Sequence, residues 1–540
     1  MRRFIALTLA VFAFAPASAE AFCGFYVDTG GAQMFNNATQ VVLMREGTRT
    51  VLSMQNNYEG PLNDFALVVP VPTVLRKDDV RTLPRALFEK INAMGSPRLV
   101  EYWEHDPCDR PEASSIDVRN FARHSAEDTE KFGVTIEAKF DVDEYQIVIL
   151  SAKDSTGLDR YLRSAHYKIP DGAVPLLRPY VEGGSKFFVA KVDPKKVKLV
   201  NGQAQLSPLR FFYDSEEFSL PIRLGLANSS GTQDLIISIL APDQRYDVAN
   251  YPNAFIPTNI DVKDEVRTRF GEFYAALFDR TLQQHPGAVI TEYSWQGRGC
   301  DPCPGPFRLA DEDYMLLGEA VLLPRPEPPP PPSAPPPGPD EITIDMGDDD
   351  SSWIPPREYV LTRLHARYSK GDAPNDLVFR AASPVSGGNE RGRAPLPRSA
   401  IAAETNRFQG RYVIRHPWTG PIECKQPYRG GWGGDPNGGG GGGQRKRAIG
   451  AALDTAFAPR GVIQLQDLVA HDIPEISIQQ GVPLVPPLPK PAERRVKPQG
   501  CGCRSSDAPT PLVLGALLLG LGVVRSRRRR PVTGASNAGS

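Results

Sequence analysis

The chain has 540 residues, enough for two to four domains, and its 41% hydrophobic and 23% charged residues are ordinary for a folded protein. Its 53 prolines and 48 glycines are concentrated in a few tracts, which indicates linkers rather than a disordered chain. Residues 20–503 carry 54 basic and 62 acidic side chains, and this net charge of −8 argues against nucleic acid or anionic lipid as the main partner.

The first residues, MRRFIALTLAVFAFAPASAEAFC, predict a secretory signal peptide over residues 1–19. Two arginines precede an apolar stretch, and a small-x-small sequence ends at Ala19. We therefore predict export and cleavage by signal peptidase after Ala19, with Ala21 as the alternative. A buried first helix is the competing interpretation.

Residues 22–323 are predicted to form an α+β domain with mainly antiparallel strands. Residues 40–55 consist of two β-rich runs around a Glu-Gly pair, which is a hairpin signal. GVTIEAKFDV alternates apolar and polar residues and is followed by EYQIVILSA, which predicts a second hairpin with one wet face. FALVVPVPTVL is apolar enough for a buried strand, which Pro70 and Pro72 restrict to an edge or a bulge. Further strand-like segments are GSKFFVAKV, SPLRFFY, FSLPIRLGL, DLIISILAP and AVITEYSW.

Two segments of this domain have apolar residues at helical spacing. The first runs from Leu83 to Met94 and stops at Gly95, and the second runs from Val266 to Leu282. Both apolar stripes are interpreted as core faces. Strands and helices follow one another irregularly, without a strand-helix-strand rhythm, which favours an α+β or mainly antiparallel fold.

The body of the predicted exported protein, before the C-terminal motif, contains five cysteines, an odd number. Export favours structural disulfides. The four in the first domain allow three pairings, with the fifth left over or paired to a cysteine of the C-terminal motif. CDPC follows a strand and precedes PGPF, whose prolines disfavour a helix start, so a structural disulfide is preferred there over half of a metal site or a redox pair. The five are Cys23, Cys108, Cys300, Cys303 and Cys424.

Two acidic stretches contain side chains able to bind metals. In EYWEHDPCDR, Glu104, His105 and Asp106 are weak candidate ligands, because neighbours in an extended chain point to opposite faces. The competing interpretation is a capped turn beside a disulfide. DMGDDDSS lacks the spacing and closing Glu of a calcium loop and is interpreted as a solvated linker. We find no catalytic or nucleotide-binding motif and predict no cofactor.

Proline-rich and glycine-rich tracts divide the second half of the chain. PRPEPPPPPSAPPPGP opens a linker over residues 324–352 and predicts a polyproline spacer of roughly 50 Å, at about 3.1 Å per residue. Residues 353–480 are predicted to form a smaller second module with a flexible Gly-rich loop at 429–443. Residues 481–500 are predicted to be a Pro-rich stalk.

Residues 501–530, CGCRSSDAPTPLVLGALLLGLGVVRSRRRR, combine two cysteines, an apolar run and an arginine cluster. A helix over the run covers roughly 20 to 25 Å of a hydrocarbon core about 30 Å thick, so this C-terminal hydrophobic helix is a marginal transmembrane span. The arginines hold their end on the cytoplasmic side. The segment resembles the MYXO-CTERM sorting signal of myxobacterial surface proteins. That resemblance implies removal of the span by a sorting protease and attachment through Cys501 or Cys503. The alternatives are a permanent span and a core helix beside a disulfide.

Several longer segments resemble one bacterial family. CGFYV, RLVEYWEHDPC, LSPLRFFYDSEEFSLPIRLGL, YPNAFIPTN, FGEFYAALFD and CDPCP are similar to domain-of-unknown-function family 2330. The resemblance covers nearly all of residues 22–320, and LTRLHARY with DLVFR extends it past the proline tract. It implies no activity, because the function of that family is not established.

These features predict an exported protein anchored at the cell surface or outer envelope, through the C-terminal span or a modified cysteine. The predicted role is non-catalytic, in surface interactions or envelope structure. An exported enzyme or thiol-redox protein using Cys300 and Cys303 is the alternative. Signal peptidase and a sorting protease are the predicted processing partners, nucleic acid is not a predicted partner, and the sequence identifies no ligand.

Overall fold

Strands dominate this computed structural model. It describes residues 25–28, 35–59, 65–108, 138–152, 155–164, 173–200, 203–228, 232–297, 308–322, 358–372, 374–388, 396–427, 429–433, 447–451 and 463–479. These residues all lie in one compact unit, Met1–Pro486. The predicted signal peptide, stalk and sorting signal lie outside the described residues.

The strands are β1 Phe25–Asp28, β2 Phe35–Glu46, β3 Arg49–Glu59, β4 Phe65–Val71, β5 Val80–Thr82, β6 Arg98–Glu104, β7 Ala138–Val142, β8 Tyr145–Ser151, β9 Lys186–Val192, β10 Lys198–Val200, β11 Gln203–Gln205, β12 Leu209–Asp214, β13 Ser219–Leu220, β14 Gln233–Pro242, β15 Arg245–Val248, β16 Asn253–Phe255, β17 Ile260–Asp261, β18 Val289–Gln296, β19 Tyr359–Tyr368, β20 Leu377–Ala382, β21 Val385–Gly387, β22 Ile401–Ala402, β23 Arg407–Gln409, β24 Arg411–His416, β25 Trp432–Gly433 and β26 Arg447–Ala451.

The α-helices are α1 Arg85–Gly95, α2 Ser155–Ser164, α3 Ala173–Glu182, α4 Phe270–Gln284, α5 Asp311–Leu317 and α6 Leu465–Leu468. Short 3-10 segments are Lys77–Asp79, Arg223–Asn228, Asp264–Thr268, Glu319–Val321, Lys370–Asp372 and Pro474–Ile476. Most strand pairs are antiparallel, among them β2 with β3, β14 with β19 and β8 with β9. Mostly sheet with few helices, the described residues form an α+β fold, as the sequence predicts.

In the described residues, two sheets and two sets of helices stack in layers, because both sheets carry apolar side chains on both faces. The largest sheet runs β22-β21-β23-β18-β19-β14-β2-β3-β12-β5, and a five-stranded sheet runs β1-β4-β9-β8-β7. One core lies between these two sheets. Helices α2 and α3 cover the outer face of the five-stranded sheet. Helices α1 and α5 pack on the outer face of the largest sheet, where α4 also lies against β18. A further sheet runs β17-β24-β6-β25, with β26 also paired to β6.

Both predicted hairpins are confirmed. Strands β2 and β3 pair from Glu46 and Arg49 outward, and Gly47 supplies the left-handed backbone of the turn with φ 56°. Strands β7 and β8 pair in the same way around Asp143, whose φ is 47°. Local signals were sufficient here because a two-residue turn fixes the register of the strands it joins.

The predicted strand FALVVPVPTVL is β4, which is buried along its whole length. Pro70 pairs with Phe187 on β9, whereas β1 pairs with β4 only as far as Val68. Strand β4 lies between β1 and β9, so it is not the edge strand that the prolines predict. Among the described residues, Pro70 is nevertheless paired on one side only, which fits its missing N–H. The predicted strand FSLPIRLGL is mostly wrong, because only Ser219 and Leu220 are in a strand and a 3-10 segment follows Pro221.

Both predicted helices are confirmed, with shifted starts. Helix α1 ends at Gly95 and buries Leu87, Phe88 and Ile91. Helix α4 begins at Phe270, because the first residues of the predicted stretch form a 3-10 turn.

Strand β19 differs from the predicted arrangement of a separate module after the proline tract. It pairs along ten residues with β14 and also with β18, so it occupies the middle of the largest sheet. The two flanks of the tract also meet: the rings of Tyr314 and Tyr359 stack 5.0 Å apart, and the Tyr359 hydroxyl lies 3.2 Å from Glu319 Oε1. The described residues on the two sides of the tract are thus in direct contact, which does not fit a spacer between separate modules.

Candidate functional site

A network of charged side chains lies on the helix-facing side of the largest sheet. Strand β19 contributes Arg363, His365 and Arg367, which share one face because alternate residues of a strand point the same way. The side chains of Arg363 and His365 are 2% and 1% exposed. We call the following set the buried charge network: Asp234, Asp279, Glu292, Arg363, His365 and Arg367.

His365 is held between two carboxylates. Its Nδ1 lies 2.7 Å from Glu292 Oε1 and its Nε2 lies 2.8 Å from Asp234 Oδ1. An ionised carboxylate only accepts hydrogen bonds, so both ring nitrogens donate and the ring is an imidazolium. Burial opposes the charge, but Glu292 and Asp234 outweigh it and raise the pKa of His365.

Glu292 receives donors on both oxygens. Arg363 Nε lies 2.6 Å from its Oε2, and the Tyr274 hydroxyl of α4 donates to Oε1 beside His365. Burial alone would raise the pKa of Glu292, but His365 and Arg363 lower it to about 2. The pairing of β18 with β19 shifts register between Thr291 and Tyr293, so Glu292 occupies a β-bulge, which re-aims a side chain.

The network continues to the surface through Arg367. Its Nε lies 2.8 Å from Asp234 Oδ1, its Nη1 donates to Asp279 of α4, and its guanidinium lies 4.6 Å from the centre of the Phe278 ring. The Phe278 ring in turn stacks on His365 at 3.9 Å. Arg367 and Asp279 are 12% and 29% exposed, so this end alone approaches solvent.

At the other end, Arg363 reaches helix α1. Its Nη1 lies 2.5 Å from Asn92 Oδ1. Helix α1 approaches closely because Gly95 has no side chain: a Cβ there would lie 3.2 Å from Cδ of Arg363. Three acidic and three basic groups thus form one neutral chain that joins β14, β18, β19, α1 and α4.

The chemistry of this network is structural. It contains an Asp-His-Glu arrangement, but a general base needs a free imidazole nitrogen, and both nitrogens of His365 are occupied by carboxylates. The sequence alone shows the histidines as scattered, with no partner nearby. Alternation of Arg, His and Arg in LTRLHARY was the available signal. The partners were not foreseeable, since Glu292 and Asp234 lie 73 and 131 residues away in sequence.

A second polar site surrounds Glu104 at the end of β6. Its carboxylate accepts hydrogen bonds from the N–H of Gly430 at 2.8 Å and of Trp418 at 3.0 Å, and Arg429 Nη2 lies 3.0 Å away. Burial acts to raise the pKa of Glu104, but these N–H groups and the guanidinium outweigh it and lower the pKa. Glu104 therefore binds a loop of its own chain.

The three candidate metal ligands do not converge. Glu104 faces the loop, the His105 backbone N–H donates to Gly431 O at 2.9 Å, and Asp106 Oδ1 accepts from the Cys108 N–H at 2.9 Å. Within the described ranges, no three His, Cys, Asp or Glu side chains are grouped as metal ligands. The geometry is that of a capped turn beside a disulfide.

That disulfide joins Cys108 to Cys424, which are 316 positions apart in sequence and have Cα atoms 5.6 Å apart. This corrects the expected pairing, in which Cys424 is left over or joined to the C-terminal motif. The reason is that β24, just before Cys424, pairs with β6, just before Cys108. The other candidates lie outside the described residues: Ala19, Cys23, Cys300, Cys303, Cys501 and Cys503.

None of the helices in the described part of the chain is both long enough and apolar enough to cross a membrane. The predicted C-terminal hydrophobic helix lies outside that part.

Comparison with known proteins assigns the family. A bacterial family described as "Uncharacterized protein conserved in bacteria (DUF2330)" matches residues 16–380, which is most of the chain. The chain belongs to the DUF2330 family. The DUF2330 match includes the whole buried charge network and Cys108, and ends before Cys424.

No curated protein matches the chain. The crystal structure of baculovirus P35 is similar at 11% sequence identity, over 41% of this chain and 68% of that one, with a TM-score of 0.22. A likeness this slight does not indicate a shared fold.

Proposed function

We propose that this DUF2330 protein is exported, held at the cell surface, and acts there without catalysis, in surface interactions or envelope structure. The observation that carries the non-catalytic role is the state of His365. Its ring lies between two carboxylates, as the histidine of an acid-base site can. The side chain is only 1% exposed, however, and both ring nitrogens are hydrogen-bonded, one to Asp234 and the other to Glu292. Such a network rigidifies a sheet and leaves no group to take a proton from a substrate.

Export is supported independently by the disulfide between Cys108 and Cys424. Structural disulfides persist in oxidising compartments and are rare in the cytosol of mesophiles. The N-terminal segment has the three regions of a secretory signal. Retention at the surface rests on the resemblance of residues 501–530 to a sorting signal.

Fractionation of cells that make the full chain, followed by intact-mass analysis, tests both parts of the location. We expect a chain that starts at Glu20 or Phe22, is recovered with the cell envelope, lacks Arg527–Arg530, and carries an adduct on Cys501 or Cys503. An unprocessed chain in the cytosol with Cys108 and Cys424 as free thiols would overturn export. A processed N-terminus with the last arginines still attached would overturn sorting alone.

The absence of redox catalysis is tested by a thiol-exchange assay on the exported protein and its Cys300→Ser variant. We expect neither protein to turn over a dithiol peptide, that is, to oxidise more of it than the protein's own disulfides, Cys108–Cys424 among them, can accept. Turnover that disappears in a normally folded Cys300→Ser variant would replace the proposed role with the thiol-redox alternative.

A further inference from the structure

The Cys108–Cys424 disulfide anchors an exposed loop, which we call the latch loop and which consists of residues 417–427 and 429–431. None of these residues is buried. The latch loop contributes no side chain to the apolar cores of the described residues. Its position therefore depends on a few polar contacts and one covalent bond.

The polar contacts converge on two neighbouring positions of the chain. Glu104 accepts from the N–H groups of Trp418 and Gly430 and pairs with Arg429, and the His105 N–H donates to Gly431 O. Beyond the loop, β25 adds two residue pairs to the end of β6. Between these contacts, the disulfide fixes the middle of the loop at Cys424.

The sheet beneath the loop does not need the disulfide. Strand β24 pairs with β6 over six residues, from Arg411 with Arg98 to His416 with Trp103. Tyr412 and Ile414 of β24 are buried in a core that includes α4. The last paired residue of β24 is followed directly by the latch loop, so loss of the disulfide leaves the loop held only by its polar contacts with Glu104 and His105.

We propose that the Cys108–Cys424 disulfide is a redox latch: reduction by a dithiol releases the latch loop and uncovers the Glu104 carboxylate while the sheets stay folded. In this step the S–S bond breaks and the dithiol becomes a disulfide. Its two protons and two electrons pass to Cys108 and Cys424, which become thiols. The proposal goes beyond the proposed function and does not depend on it, since the same chemistry operates in purified protein.

Hydrogen exchange read by mass spectrometry tests the latch on the purified full chain, with and without dithiothreitol. Mass shifts after alkylation verify that Cys108 and Cys424 have been reduced. We expect peptides covering the latch loop to exchange at least about tenfold faster after reduction. Over the same minutes of labelling, peptides covering β14 and β19 should keep their protection, because global opening is far rarer than release of a loop.

The Cys108→Ala/Cys424→Ala double variant separates this disulfide from any other in the chain. It should show the fast loop exchange without dithiothreitol, and dithiothreitol should then change the loop no further. Two results would overturn the proposal. Unchanged loop exchange after verified reduction would show that polar contacts suffice, and loss of protection in β14 and β19 together with the loop would make the disulfide a staple of the whole fold.

Discussion

At the scale of single residues, we expect a large loss of stability when His365 is replaced. It neutralises two carboxylates that are themselves 1% and 3% exposed. Removing one partner of a buried ion pair costs about 3 to 5 kcal/mol, because the remaining charge stays buried without compensation. We therefore expect His365→Gln, which keeps one donor, to lower the free energy of unfolding by about 3 kcal/mol in urea denaturation.

His471→Gln is the matched control, since His471 is 66% exposed and its carboxylate partner Asp261 is 3.8 Å away. An exposed pair at that distance contributes less than about 1 kcal/mol. Equal losses in the two variants would contradict a structural role for the buried charge network.

His365 and Glu292 make the stability of the fold depend on pH, one as the pH rises and the other as it falls. The pKa of His365 is raised in the fold, so its contribution is complete below the ordinary histidine pKa of about 6.5 and is lost as pH rises through the folded value. The pKa of Glu292 is lowered to about 2, so its contribution is complete above the ordinary glutamate value and is lost as pH falls toward 2.

We therefore expect the difference in melting temperature between the native chain and His365→Gln to be largest near pH 5 to 6 and to shrink above neutral pH. Asp234, Arg363, Arg367 and Tyr274 surround the ring and remain in both proteins. Melting curves from pH 4 to 9 give the measurement. A difference that stays constant across this range would show that His365 does not titrate between the two carboxylates.

At the scale of elements, the end of α5 depends on a glycine. Gly318 has φ 119°, and a Cβ there would lie 2.8 Å from Cγ1 of Val51 in β3, which is fully buried. Gly318→Ala combines backbone strain with overpacking, so we expect a loss of about 3 kcal/mol in thermal unfolding.

Gly287→Ala separates the two causes. Gly287 also has a positive φ of 71°, but a Cβ at this position would have no other atom within 4 Å. Backbone strain alone costs about 1 kcal/mol, so this variant should melt clearly above Gly318→Ala. The reverse order would mean that Val51 moves aside without cost.

Elements whose signals are local were predictable from the sequence. The hairpin at Gly47 follows from its turn residues, and helix α1 follows from the helical spacing of its apolar residues. The strand predicted after Phe218 failed because Pro221 removes a donor and ends the pairing. The bulge that turns Glu292 toward Arg363 could not be predicted, because a bulge is defined by the partner strand and not by its own sequence.

At the scale of the whole molecule, the domain boundary that the composition predicts at residues 324–352 does not match the strand pairing. A proline tract is typical of a linker between domains, and the sequence does not say whether the chain returns to the same sheet. Strand β19, after the tract, pairs with β14 from before it, and the ring of Tyr359 stacks on that of Tyr314. The two halves of the chain therefore share one sheet. Sheet order is decided by tertiary packing over long sequence distances, which no local pattern in either half records.

This architecture predicts how the protein responds to a cut in residues 324–352. A site for a specific protease introduced there should be cleaved without loss of structure, because β19 stays paired on both sides and Cys108 stays bonded to Cys424. We expect one band on a non-reducing denaturing gel and two bands after reduction. Under native conditions, the cut protein should elute from a sizing column as a single species even when reduced.

A chain that stops at residue 323 is the control, and it should aggregate because its largest sheet lacks the strand between β14 and β18. Separation of the two fragments on the native column would mean that the halves fold independently.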